Sequence, residues 1–466
     1  MSKSLHTILN RYKSQDIYPF HMPGHKQNAD FMPEDLLHYD ITEIPGADNL
    51  QKPEGVLREL EEKISAACGS KSSFISVNGS SGGILAALLS AVTEGDELLL
   101  ARNSHIASYN GLVLSGAEPV YVYPHITPQG LCGGIMPQDI ENALAGSNKI
   151  KAVLITSPTY EGFCSDIKGI AEVVHRHKKI LIVDEAHGAH FGYHPAFPGT
   201  AISLGADISI QSLHKTLPAF GQSSVVHIGS NRVDAKRLKQ SLNMVNSTSP
   251  SYIFLAGIDF LFSNTLKKPF DIFERYALKL TKFEDNARHL ECIEMPAKSL
   301  KGKFGITDID KGKLVFCVNH GIITGQEISS ILLKDHKVQV EAAYSKHIIA
   351  MTSIADTAQG FSRLTEGLYS VDEMLKPKGK YDIITSNYDH MSADTALSPR
   401  QAFNFEKETL PPDAAIGRIC GEFVVPYPPG IPIVAPGEMI TEGIAKKLKE
   451  HFDGSNTNEI NVLLPD

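Results

Sequence analysis

The chain has 466 residues, 42% hydrophobic and 21% charged, a balance that suits ordinary globular packing and a length that exceeds one growing core, so two or three domains are expected. Its 44 basic against 53 acidic residues give a formal charge of −9, which argues against a protein whose main partner is nucleic acid or an anionic membrane, since both need a basic surface. The six cysteines (Cys68, Cys132, Cys164, Cys292, Cys317 and Cys420) lie far apart without a CxxC pair, so reduced thiols in the cytoplasm are expected, with no metal site.

The first twenty residues lack the continuous apolar core of a signal peptide. The longest apolar run, GGILAALLSAV (82–92), is too short to span a membrane. Residues 1–55 read as a loop-rich arm carrying PFHMPGHKQ and TEIPGADNLQKPEG, a stretch that needs a surface to lie on. Between Ser73 and Ile228 short runs rich in β-branched residues recur: SFISV, DELLLA, PVYVY, KAVLITS, KILIVD, ADISIQS and SSVVHI. They are nearly continuous rather than alternating, which predicts strands buried on both faces. Helix-like stretches lie between them (SGGILAALLSAV, SHIASYNGLVLSG, MPQDIENALAG and IKGIAEVVHRHKK), so residues 56–265 are expected to form an α/β domain with a mostly parallel sheet. From 266 to 466 a smaller C-terminal α/β region is expected, with a helix over IFERYALKLTKFEDNARHLECIEM and strands at KLVFCV and HIIAM. Residues 356–411 are polar and weakly periodic and receive no assignment.

Three segments carry candidate chemistry. VNGSSGGI (77–84) ends one strand and opens a helix; Gly79 lets the backbone approach a ligand, and the helix-start amides with the hydroxyls of Ser80 and Ser81 can hold a phosphate, although such a turn also forms without a ligand. In ILIVDEAHG (180–188), Asp184 stands at the carboxyl end of a buried strand, the edge where ligands of open α/β sheets collect; a helix N-cap is the other reading. In SIQSLHKTLPAFGQSS (209–224), Lys215 follows a strand among Ser212, His214 and Thr216, and a lysine forms imines where its neutral amine is accessible, while most loop lysines are simply solvated. Phosphate turn, acid and lysine at one sheet edge, in this order, are what a pyridoxal phosphate site requires: the acid keeps the pyridine nitrogen protonated so that the ring accepts electrons.

These segments, with PFHMPGHK, TEIPGADNL, ARNSHIAS, TSPTYEG, TSPSY and VVPYPPGIPIVAPGE, resemble the bacterial-type ornithine/lysine/arginine decarboxylases among the fold type I pyridoxal phosphate enzymes, and they cover most of the chain in the right order. The resemblance implies an aspartate-aminotransferase-like large domain, Lys215 as the Schiff-base lysine, and Asp184 as the partner of the ring nitrogen. It further implies Gly79, Ser80, Ser81, Ser212 and His214 on the phosphate, His105 stacked on the ring and His187 close to it. Ser249, in STSPSY, is implied to serve the phosphate of a neighbouring subunit, hence an active site at a subunit interface. Because PGHK begins at residue 23, with no room before it for the receiver-like domain of the largest relatives, the short form is expected, as a homodimer or tetramer.

The function expected is decarboxylation of arginine, lysine or ornithine to the amine and CO2, in polyamine biosynthesis, with arginine or lysine ahead of ornithine by resemblance to short-form members. Lys215 or His214 supplies the proton to Cα. A basic side chain needs acidic recognition, for which Glu438 and Glu422 are candidates, Glu438 being equally able to cap the helix near MITEGIAKKL. An aminotransferase of the same fold is one alternative, with Arg363 and Arg418 available for a carboxylate but in no recognised motif. A non-catalytic protein of this fold is the other.

Overall fold

The computed structural model describes residues 18–20, 24, 26, 28, 30, 41, 43, 44, 46–318, 322–376, 394–453 and 458–465. Most of the expected arm before residue 41, and 377–393 within the unassigned polar segment, lie outside the described residues.

Seven strands build the large sheet: β1 (Ser72–Ser76), β2 (Glu97–Ala101), β3 (Glu118–Val122), β4 (Ile150–Thr156), β5 (Ile180–Asp184), β6 (Ile208–Ser212) and β7 (Ser224–Ile228). Their spatial order is β1-β7-β6-β5-β4-β2-β3, and β7 alone runs against its neighbours. Each apolar run of the sequence is one of these strands. The period-two alternation of a strand sends Leu98, Leu100, Leu154, Ile182 and Ile210 to one face, under the helices Gly79–Ala91, Ile106–Ser115 and Ala235–Val245. Leu99, Val153, Ile155, Leu181 and Val183 go to the other, under Pro137–Gly146 and Ile167–Arg176. Both faces are dry, so both parities must be apolar, and the runs read as continuous. Each such Leu, Ile or Val contributes about 1.5–3 kcal/mol by leaving water.

Beyond the sheet, the Pro269–Ala287 helix leads to an antiparallel sheet of Lys313–Cys317, His347–Met351 and Ala342–Ala343. The helix stops earlier than the sequence suggests. Buried Asp372 accepts from the amides of Glu291 and Cys292, and Glu294 bridges to Cys317, so tertiary hydrogen bonds replace helical ones after Ala287. The Ala358–Leu375 helix occupies part of the segment left unassigned, burying Phe361, Leu364, Leu368, Val371 and Leu375. One buried cluster links this region to the large domain, joining Leu57 and Leu217 to Phe273, Phe316 and Leu364. Tyr18–Phe20 pairs with Val338–Val340, which supplies a surface for that part of the arm.

The last group pairs Lys407–Leu410 with Ile460–Leu463 and packs the Glu442–Phe452 helix on them, around Cys420, Val434, Leu448 and Val462. All six cysteines are free thiols. Among the described residues no helix is long and apolar enough to cross a membrane, and no group of three or more His, Cys, Asp or Glu is placed to hold a metal.

Candidate active site

The carboxyl ends of β4, β5 and β6 deliver Thr156, Asp184 and Ser212 to one edge of the sheet, and the chain after β1 opens the Gly79–Ala91 helix there. A cavity of about 380 Å³ lies at this edge, and Gly79, Ser80, Ser81, His105, Asp184, His187, Ser212, His214 and Lys215 all line it. A larger cavity, about 920 Å³, lies between the Pro269–Ala287 helix and Lys313–Cys317, and it shares none of these residues.

Ser212 Oγ donates to Ser80 Oγ at 2.7 Å, joining the end of β6 to the first turn of the helix, whose opening amides have no intrahelical partner. Asp184 is buried and accepts from the Ala186 amide at 3.1 Å. No helix follows Asp184, so the N-cap reading does not apply. Burial raises its pKa, against the nearby Lys215 cation and the Ala186 amide, so the carboxylate is short of positive charge. Burial lowers the pKa of Lys215, opposed by Asp184 and Glu341. Its Nζ stands 3.0 Å from His187 Nε2.

His105 is the N-cap of the Ile106–Ser115 helix, accepting from the Ala107 amide through Nδ1, so it is a helix-start histidine as well as a wall of the cavity. Burial and then Lys215 push its pKa down to about 4, which leaves a neutral ring. His214 Nδ1 lies 3.1 Å from the Ser223 carbonyl; that oxygen can only accept, so the neutral ring carries its proton on Nδ1.

Two motifs hold this edge from outside. The Gly24 amide donates to the His214 carbonyl at 2.6 Å, and a Cβ on Gly24 would stand 2.6 Å from Leu217 O, so the arm can lie on the lysine segment only through a glycine. The PYPPG segment covers the other side. The Ile106 amide donates to Gly430 O at 2.8 Å, a Cβ on Gly430 would meet the His105 ring at 2.8 Å, and Pro429 and Ile431 line the cavity.

The structure corrects the acidic candidates. Glu438 is fully buried; its Oε2 takes a hydrogen bond from Arg102 at 3.1 Å and another from the Ala435 amide at 2.8 Å. Arg102 also donates to Pro432 O and Ile433 O, so this pair fastens the residues that follow PYPPG to the large domain, and neither side chain lines the cavity. Nor does Glu438 cap the following helix, which Thr441 does. Glu422 accepts from the Asn461 amide at 2.6 Å, away from the cavity. Ser249 is exposed and outside this chain's cavity.

Two residues escaped the sequence reading. Glu161, in TSPTYEG, lines the cavity with Oε1 accepting from the Cys132 amide and Oε2 buried without a hydrogen-bond partner. It follows β4 at the edge that singled out Asp184, so the same rule could have found it. Lys313, 3% exposed, reaches His187 from the second sheet: its Nζ is 2.7 Å from Nδ1. Burial pulls its pKa down to about 7, opposed by Glu341 and Asp310.

These residues fit pyridoxal phosphate. Asp184 is a buried acid in want of a cation, the serine pair at a helix start suits a phosphate, Lys215 stands within the same cavity, and the buried Thr156 Oγ1 and Asn103 Oδ1 are polar atoms awaiting partners. A solved structure with this fold is a lysine decarboxylase of Francisella novicida, matched with a TM-score of 0.76 at 19% identity over 93% of this chain and 76% of that one. Fold and site together define a fold type I enzyme that depends on pyridoxal phosphate.

Sequence comparison narrows the class. Residues 3–268 match the Orn/Lys/Arg decarboxylase major domain, and 382–455 match its C-terminal domain. An arginine decarboxylase of Bacillus anthracis is 30% identical over 457 residues, covering 96% of this chain and 93% of that protein. Another, of Halalkalibacterium halodurans, is 32% identical over 441 residues, covering 93% and 90%. The chain belongs to the Orn/Lys/Arg decarboxylase family and is a decarboxylase of basic amino acids.

Proposed function

We propose that this chain converts arginine to agmatine and CO2 in polyamine biosynthesis, with Lys215 carrying the cofactor and Asp184 facing its ring nitrogen. The observation that carries the reading is the meeting of Lys215, Asp184 and the Ser80–Ser212 pair in one cavity. Arginine is preferred over lysine and ornithine because the two relatives above are named for it, and the Glu161 carboxylate in the cavity wall supplies an acid for a cationic side chain. Glu161 thus takes the role first given to Glu438 and Glu422.

The bound cofactor supplies an electron sink for the pair released when the Cα–carboxylate bond breaks. Ser80, Ser81, Ser212, His214 and the helix start at Gly79 would hold its phosphate. The Asp184 carboxylate would keep a proton on the ring nitrogen, and the neutral His105 ring would form a wall of the cofactor's site. His214 Nδ1 is engaged by Ser223 O, and Lys215, whose amine stands in the same cavity, is the residue that delivers the proton to Cα. The outward position of Ser249 suits a part in a neighbour's site, within a homodimer or tetramer.

Among the described residues no arginine lines the cavity, and Arg418 is bound to Glu408 and Leu463 O, which disfavours an aminotransferase's carboxylate fork. The test supplies cofactor with arginine, lysine and ornithine in competition and follows CO2, amine and 2-oxo acid by mass spectrometry. Agmatine with CO2 is expected. Cadaverine or putrescine as the main product overturns the choice of arginine, and oxo acid without CO2 overturns decarboxylation.

A further inference from the structure

Lys313 stands where the family resemblance assigned nothing. It begins the Lys313–Cys317 strand, is buried, and meets His187 Nδ1 at 2.7 Å while His187 Nε2 meets Lys215 at 3.0 Å. Two amines therefore face the two nitrogens of one ring. Burial, then Lys215, Lys313, His105 and His214, keep that ring neutral. A neutral imidazole has one donor nitrogen and one acceptor, whereas an ammonium can only donate. Two ammonium groups would both need an acceptor from a ring that has only one, and their like charges oppose each other across it. Hence at most one of the two lysines is an ammonium in this geometry, and the ring's proton reports which.

The surroundings make the two arrangements comparable. Lys215 faces Asp184 and Glu341. Lys313 faces Glu341, Asp310 and Glu161 and lies over the Tyr160 ring at 5.1 Å, while the Tyr160 hydroxyl donates to Glu341 at 2.8 Å.

We propose that Lys215, His187 and Lys313 form a proton relay in which Lys313 is a positioning residue that stores the proton of Lys215. In one state Lys215 is the ammonium, donating to Nε2, while Nδ1–H donates to the lone pair of Lys313. In the other, the Lys215 proton has moved to Nε2 as Nδ1 passed its own to Lys313, which leaves Lys215 a free amine; no proton is gained or lost. The free amine is the form that attacks the cofactor's aldehyde carbon, and the ammonium is the form that gives a proton to Cα. Once Asp184 is engaged by a ring nitrogen, Lys215 loses its counter-charge and the proton shifts to Lys313. The inference rests on the reading of Lys215 as the cofactor lysine.

The test uses the full-length, cofactor-free protein and two readouts. Competitive labelling with trace acetic anhydride across pH, read by peptide mass spectrometry, follows the free-amine fraction of Lys215, with exposed Lys52 as reference. Lys215 is expected to label in two steps, because its first free-amine fraction appears when the pair shares one proton. Lys313→Met leaves one step, moved up by about one pH unit, a tenfold loss of free amine at a given pH. Nitrogen-15 spectra of His187 in the unmodified chain are expected to show both nitrogens with intermediate shifts, and Lys313→Met fixes the proton on Nδ1. A single fixed tautomer at every pH in the unmodified chain overturns the relay, whether or not the variant folds, and so does an unmoved midpoint in a folded variant. A chain that passes both readouts yet releases no CO2 overturns the decarboxylase reading and leaves the relay standing.

Discussion

Two regions of the molecule bury charge, and they do so in opposite ways. At the junction of the PYPPG segment with the large domain, Arg102 and Glu438 carry opposite charges, stand 3.1 Å apart, and tie loop carbonyls to the sheet. Beside the cavity, Lys215 and Lys313 are two amines on either side of a neutral ring, of which at most one is charged, while Asp184 accepts from the Ala186 amide and Glu161 from the Cys132 amide. Opposite charges in contact support structure, whereas amines and carboxylates that burial sets against their charged forms have pKa values pushed toward the range where protons move. The contrast predicts that substitutions at the two regions separate activity from stability.

The largest effect is expected at Lys215. Lys215→Ala removes the amine altogether, so kcat for CO2 release falls by about 10³-fold or more, and added pyridoxal phosphate keeps the spectrum of the free aldehyde. Asp184→Asn keeps the shape and removes the charge, and kcat is expected to fall about 10²-fold with a smaller change in KM. If either variant lost thermal stability in proportion to its activity, the cavity groups would belong to the structural kind.

The opposite test applies at the junction. Glu438→Gln leaves the Arg102 guanidinium buried without its counter-charge, at a cost of about 3–5 kcal/mol in urea unfolding. Arg102→Met with Glu438→Leu removes both charges and should recover most of that loss, because apolar residues of similar volume replace buried ion pairs well. A double variant no more stable than Glu438→Gln would mean that the carbonyl contacts of Arg102, and not its charge, hold the segment. At the cavity, Glu161→Gln is expected to raise KM for arginine about tenfold, the loss of one charge-assisted contact, and to leave kcat closer to its starting value. An unchanged KM would remove Glu161 from substrate recognition.

What the sequence could tell follows the same division. The strands were legible because burial on both faces writes itself as an apolar run, and Asp184 and Lys215 because the carboxyl edge of a parallel sheet collects ligands. Glu161 obeys that edge rule and was passed over. Lys313 was not legible: a lysine opening KLVFCV reads as a solvated strand end, and only the packing of a second sheet against the first brings it to His187. Glu438 was misread because its partner lies 336 residues earlier in the chain. The Ala358–Leu375 helix has apolar residues every three or four positions, but Gly360, Ser362, Thr365, Gly367 and Ser370 dilute the pattern, and tertiary burial makes the helix.

The smallest effect sharpens the comparison by pH. His227 is buried between Ser73 Oγ at 2.8 Å and Gln211 Oε1 at 3.1 Å, partners that suit a neutral ring protonated on Nε2. Burial lowers its pKa from 6.5 to about 4. Between those values the unfolded chain binds a proton that the folded chain refuses, so this residue makes stability fall as the pH drops through that window, by roughly 1.4 kcal/mol per pH unit, and adds nothing to the slope above it. Buried Glu61 and Glu185, raised from 4.5 to about 7 chiefly by burial, act with the opposite sign: the folded chain holds protons that the unfolded chain has lost, so their share falls as pH rises from 4.5 to 7. The measurement is therefore a difference. Urea unfolding of His227→Gln against the unmodified chain, at pH 7 and again at pH 5, should show the variant losing less stability on acidification. Equal losses in the two proteins would mean that the folded chain protonates His227 as readily as the unfolded chain does.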